Sequence, residues 1–148
     1  MTLRALFVIA LTLVASASRA SDELIISDAW VRATPPGKMM TAGYASIENV
    51  SKDVITITGV SAEVAGHTSI HETRIERDRS TMRPVTELSI KAGERVSLEP
   101  GGLHIMLMKL SEPLSDGQSI DICLELENND SLCSAFSVER YRKAAHHH

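Results

Sequence analysis

Residues 101–110 read Gly101-Gly102-Leu103-His104-Ile105-Met106-Leu107-Met108-Lys109-Leu110. The glycines close a turn, and the residues after them predict a strand. Successive strand side chains point to opposite faces, so Leu103, Ile105 and Leu107 share one face and His104, Met106 and Met108 the other. The first is an ordinary core face. The second carries an imidazole and two thioethers, an unusual set for a solvent face. Thioethers are soft ligands and imidazole is intermediate, so the set suits a soft ion such as Cu(I).

The same alternation recurs on both sides of this stretch. Leu24 to Ala33, Thr41 to Asn49, Val54 to Val60, His67 to Ile75, the Val96–Leu98 segment, Ser119 to Glu127 and Cys133 to Tyr141 all read as strands. Val54 to Val60 is the clearest by propensity, being rich in β-branched residues. Ser61 to Gly66 reads as a short helical turn or a loop. Met82 to Ile90, which contains Pro84, reads as irregular. Between the strands lie Thr34-Pro35-Pro36-Gly37-Lys38, Ser51-Lys52-Asp53, Arg77-Asp78-Arg79-Ser80 and Glu99-Pro100-Gly101-Gly102. No long segment has a period of 3.6. Short strands at this spacing, with glycine and proline turns, predict an all-β sandwich or barrel.

The ends of the chain read differently. Residues 1–20 hold Arg4, an apolar run from Ala5 to Val14, and Ser18-Arg19-Ala20 with small residues at the outer two positions. That is a secretory signal, cut after Ala20 with Ala17 as the fallback site, and the run is too short to span a bilayer. The body of the protein is then residues 21–141, one domain, followed by a tail over 142–148. Cleavage removes Arg4 and Arg19, two positive charges, and takes the net charge from −4 to −6. An acidic exported domain argues against nucleic acid as a partner. Cys123 and Cys133 are the only cysteines, and Asn128-Asn129-Asp130 between them predicts a turn. A hairpin there would bring the two together as a disulfide, as an oxidising compartment allows. Two separate buried thiols are the alternative.

The remaining soft or intermediate ligands are scattered. His67 and His71 lie four apart and share a face on a strand. They are not half of a His-Glu-x-x-His zinc site, because Thr68 stands where the glutamate belongs. His67 alone reads as a surface histidine. Met39 and Met40 follow the Pro-Pro-Gly loop, and Met82 follows the polar turn. A single methionine is usually a core filler. Joint spacing says more: ten residues separate His71 from Met82, twenty-one separate Met82 from His104, and one separates His104 from Met106.

That spacing resembles the signature of the PCuAC family of periplasmic copper chaperones. The surrounding text is similar too: Ala29-Trp30-Val31-Arg32, Tyr44 to Asn49, Ile70-His71-Glu72-Thr73, and Leu98 to Met108. The resemblance runs from about Ser21 to Val138. It implies a cupredoxin-like β-sandwich of mostly antiparallel strands. It implies Cu(I) binding by His71, Met82, His104 and Met106, in the periplasm. It further implies delivery to the copper centres of cytochrome c oxidase, with a thioredoxin-like protein of the Sco type and an oxidase subunit as acceptors, the carrier itself being monomeric. Some members have a methionine after the first histidine; here Glu72 stands there, and no ligand is assigned to it. Members often carry a His- or Met-rich C-terminal extension that takes Cu(II), and His146, His147 and His148 resemble a very short one, or else the remnant of a purification tag.

The chemistry stands beside the resemblance. Thiolates would hold Cu(I) tightest, but they oxidise outside the cytoplasm, and two thioethers with two imidazoles avoid thiols altogether. A blue-copper centre would need a cysteine with two histidines, and neither cysteine has a histidine near it in sequence. No Gly-x-Ser-x-Gly, His-Glu-x-x-His or phosphate loop is present, so the expectation is not an enzyme. The competing expectation is a secreted sandwich that stores or takes up zinc or copper, using His67, His71 and His104 with a carboxylate such as Glu72.

Overall fold

The computed structural model describes residues 23–140 and 142. The leader over 1–20 and the terminal histidines 146–148 lie outside the described residues. Ten strands follow one another: β1 (Leu24–Arg32), β2 (Met40–Asn49), β3 (Ile55–Ser61), β4 (Ala65–Glu76), β5 (Arg79–Val85), β6 (Leu88–Ile90), β7 (Arg95–Leu98), β8 (Leu103–Leu110), β9 (Ser119–Leu126) and β10 (Ser131–Glu139). No helix occurs among the described residues. The expected strands are all present. The segment 61–66 is a short loop running into β4 rather than a helical turn. The segment 82–90 is not irregular: it supplies the end of β5 and all of β6. Pro84 misled because proline cannot donate to a ladder, but β5 is an edge strand, where that loss is tolerated.

All ten strands join in one sheet in the order β5-β4-β8-β7-β2-β1-β10-β9-β3-β6, and β8 also pairs with β2. Most pairings are antiparallel; β1–β10 and β7–β8 are parallel. The sheet folds over on itself as a cupredoxin-like β-sandwich. Where its layers meet, a side chain at Gly43 of β2 would touch Ile122 of β9 at 3.6 Å and Leu107 of β8 at 3.5 Å. One flank is tied to the other where the Thr68 hydroxyl of β4 donates to the Val60 carbonyl of β3.

The core is a single cluster that includes Val31, Ile47, Ile57, Ile90, Ile105, Leu107, Ile122, Leu124 and Phe136, drawn from both layers. Each such side chain contributes about 1.5–3 kcal/mol on leaving water. Two bulges keep the inward set inward. In β1, Asp28 has φ +53° and the register with β2 shifts between Ser27 and Trp30, so the buried residues change from Leu24 and Ile26 to Ala29 and Val31. At the end of β8, whose register with β4 is unbroken, Lys109 has φ +52° and Leu110 turns inward after Leu107. In β3 the register with β9 shifts between Ile57 and Gly59, and the inward residues change from Ile55 and Ile57 to Val60. An inserted residue of this kind resets a period of two. Among the described residues Asn49 is the one fully buried polar side chain: its amide donates to the Ile90 and Asp53 carbonyls at 2.8 Å each, and its oxygen accepts from the Ser51 amide and hydroxyl.

Candidate metal site

Strands β5, β4 and β8 lie side by side at one edge of the sheet. Ile105 and Leu107 face the core from β8, as does Ile70 from β4. The opposite face therefore carries His104, Met106 and Met108 from β8, and His67, Ser69, His71 and Thr73 from β4. Register then fixes neighbours. His71 is directly opposite His104, Ser69 opposite Met106, and His67 opposite Met108. On the outer side of β4, His71 faces Pro84 and Thr73 faces Met82.

His71 is the hub of this arrangement. The His71 and His104 rings are 6.1 Å apart, tilted by 49°. Met106 and Met82 are diagonal neighbours of His71, on β8 and β5 respectively, at about 7–8 Å between backbones. The two methionines lie on opposite sides of the His71–His104 pair along the strands. His71, His104 and Met106 are thus gathered on adjacent strands. Met82 stands one pair nearer the hairpin tip and is 59% exposed. Its side chain turns about three bonds and so has reach.

Burial within the site is graded. His104 is buried, 4% exposed, which the sequence did not anticipate for a residue off the core face. Its Nδ1 donates to the Gly102 carbonyl at 3.0 Å. A carbonyl only accepts, so Nδ1 carries the proton and Nε2 keeps a free lone pair. The same Gly102 oxygen accepts the Thr73 amide at 3.0 Å, fastening β4 to the turn before β8. Ser69 Oγ and His71 Nδ1 are buried without a hydrogen-bond partner. Burial, then the His104 and His67 imidazoles, hold the His71 pKa below its ordinary value. His71 is consequently neutral at neutral pH, the form that ligates metals.

The residues of the competing zinc expectation do not assemble. Glu72 is engaged by Arg74 at 2.6 Å. Among the described residues, no group of three or more His, Cys, Asp and Glu side chains could hold a metal ion. The cysteines are equally remote from the site. Cys123 and Cys133 are direct register partners on β9 and β10 and form a disulfide. No thiolate is therefore available for a blue-copper centre. Gly102, Ser69 and Thr73 were not legible as site residues. The glycine pair before His104 marked a turn and gave no sign that its carbonyl orients an imidazole.

A family model described as "Putative lipoprotein LpqE-like" matches residues 24–138. "Putative lipoprotein Lxx21020" of Leifsonia xyli subsp. xyli is 32% identical over 125 residues, which are 84% of this chain and 74% of that one. The solution structure of CuI-DR1885 from Deinococcus radiodurans superposes with a TM-score of 0.64 at 28% identity, covering 82% of this chain and 83% of that one. The copper-bound PCuAC domain from PmoF2 gives a TM-score of 0.66 at 20% identity, over 79% of this chain and 92% of that domain, a likeness of fold.

Proposed function

The chain belongs to the LpqE-like family, which is the PCuAC family, and from that premise we propose that it is a periplasmic Cu(I) carrier. In this reading His71, His104, Met106 and Met82 hold the ion. The observation that carries it is the His71–His104 pair: two imidazoles in direct register, one with an unpaired buried nitrogen, beside a thioether. Buried polar atoms are rarely left unpaired, and a cation bound by His71 would satisfy that nitrogen. Four neutral ligands, two of them sulfur, favour Cu(I) over zinc and over Cu(II). The solved relative named for its bound Cu(I) is consistent with the choice of ion.

The gradation of burial suits a carrier rather than an enzyme. His104 is fixed by Gly102 and forms the floor, while Met82 is the exposed arm. A thiolate from an acceptor can reach the ion from the Met82 side and replace the thioethers one at a time, so copper is never free. We assign the acceptors to the assembly of cytochrome c oxidase copper centres: a Sco-type thioredoxin-like protein and an oxidase subunit. The carrier acts as a monomer. Export through the leader over residues 1–20 agrees with the disulfide, which belongs to an oxidising compartment, and with the lipoprotein names of the relatives. The histidines at 146–148 supply a separate, weaker Cu(II) site in the tail.

Anaerobic Cu(I) titration followed by X-ray absorption at the copper edge tests the site. The expected first shell holds both sulfur and nitrogen. A shell of nitrogen and oxygen alone would remove the thioether site. Storage without delivery is the second reading, and a Cu(I) transfer assay to a reduced dithiol acceptor separates the two.

A further inference from the structure

A second row of soft ligands crosses the same face of the sheet. His67 of β4 is the register partner of Met108 of β8, and Met108 is the register partner of Met40 of β2. We propose that His67, Met108 and Met40 form a second Cu(I) site, from which the ion passes to the His71–His104 site.

The three residues stand level with one another on three adjacent strands. Direct partners have Cβ atoms about 4.5–5.5 Å apart. His67 and Met40 therefore flank Met108 from either side, with about 9.5 Å between the outer two backbones. An imidazole and two flexible thioether arms are long enough to meet over that gap. Their faces agree: Thr41 and Gly43 of β2 register with core-facing Leu107 and Ile105, which leaves Met40 with Met108 on the outer face. The core-filler explanation fails for Met40, which is 50% exposed. His67 is exposed as well. Surface methionine bears an apolar side chain in water for no packing return. All three ligands are neutral and two are sulfur, the donor set that selects Cu(I). Glu63 and Lys109 are the charged residues nearest in sequence to His67 and Met108, and neither is a register partner in the row.

The two sites share a path. Met108 is two residues from Met106 on one face of β8, about 6.6 Å away. The pair between the rows is Ser69–Met106. An ion held by His67, Met40 and Met108 can exchange Met108 for Met106, then His67 for His71, and last Met40 for His104, each ligand leaving as the next binds and with no oxidation state changed. The outer row is the more exposed and is the port of entry; the inner row, with buried His104, is the store.

The test uses the wild-type chain, labelled with 13C at the methionine methyls and titrated anaerobically with Cu(I). The exported chain has five methionines: Met39, Met40, Met82, Met106 and Met108, and the tail has none. The Met82 and Met106 signals are expected to move over the first equivalent and the Met40 and Met108 signals over the second, with Met39 fixed. Static Met40 and Met108 signals through two equivalents overturn the second site, whatever Met82 and Met106 do. Movement of Met40 and Met108 alone upholds the outer site and overturns the passage to the inner one. In chelator competition, the Met40→Leu/Met108→Leu protein is expected to bind one equivalent fewer than wild type; an unchanged stoichiometry also overturns the proposal.

Discussion

Replacing Met82 by leucine separates copper affinity from folding more cleanly than any other change in the inner site. Met82 is 59% exposed on an edge strand, so little packing is at stake. Leucine has nearly the volume and apolarity of methionine, and such swaps cost under about 1.5 kcal/mol even in a core. At an exposed position the expected stability change is within about 0.5 kcal/mol. The Thr73–Met82 backbone pairing is kept, because the substitution leaves the ladder intact. Affinity is a different matter. Loss of an outer-shell partner alone costs about 10–100-fold in metal affinity, and loss of a direct ligand costs at least that much. The expected loss is therefore about 1.4–2.7 kcal/mol of binding or more, several times the change in folding. Met106→Leu should behave alike, while Met39→Leu should change nothing. The assay is anaerobic competition for Cu(I) with a chromogenic chelator, with circular dichroism as the fold control. Wild-type affinity in both Met82→Leu and Met106→Leu would refute the thioether site and the carrier reading with it.

Further outcomes follow from other parts of the molecule. His71 has a lowered pKa in the fold, so the unfolded chain binds the extra proton first: apo-protein stability should fall as pH drops below about 6.5 and level off below the lowered folded value, and His71→Ala should flatten that slope in urea titrations. Opening the Cys123–Cys133 disulfide should cost about 2–3 kcal/mol in the chain-entropy model and leave Cu(I) affinity unchanged, because the bond lies on β9 and β10; two alkylated thiols in the unreduced exported protein would contradict it. Asn49→Ala removes the buried amide donor to the Ile90 carbonyl and should cost about 1–3 kcal/mol, read as a shift in the urea midpoint. Deleting residues 144–148 should abolish Cu(II) binding and spare Cu(I); Cu(II) affinity surviving the deletion would remove the tail site.

The strands were legible because most of each obeys a period of two; the period fails in β3, between Ile57 and Gly59, and at the two positive-φ residues Asp28 and Lys109. Neither is a glycine, so nothing in the sequence marked those positions for positive φ. Pro84 was read as a breaker, when its place on an edge strand makes it harmless. Spacing, read through a family resemblance, nominated His71, Met82, His104 and Met106. What spacing could not supply was register. That His71 faces His104 across thirty-two intervening residues follows from the pairing of β4 with β8, a long-range contact that no local pattern encodes. The burial of His104 was hidden for the same reason. The row His67–Met108–Met40 was hidden more deeply, since its members come from three strands that are not consecutive in the chain.

The Gly102 carbonyl has a consequence for how loading could be observed. Its oxygen takes both the His104 ring proton and the Thr73 amide proton. An ion on His104 Nε2 draws electron density through the ring and sharpens the pull of Nδ1–H on that oxygen. The Thr73 amide, sharing the acceptor, must yield in proportion. Occupancy would thus be transcribed into a backbone proton on the neighbouring strand, at the register partner of Met82. The amide would then be a spectator gauge, reporting full or empty from a position that an incoming thiolate has no need to touch.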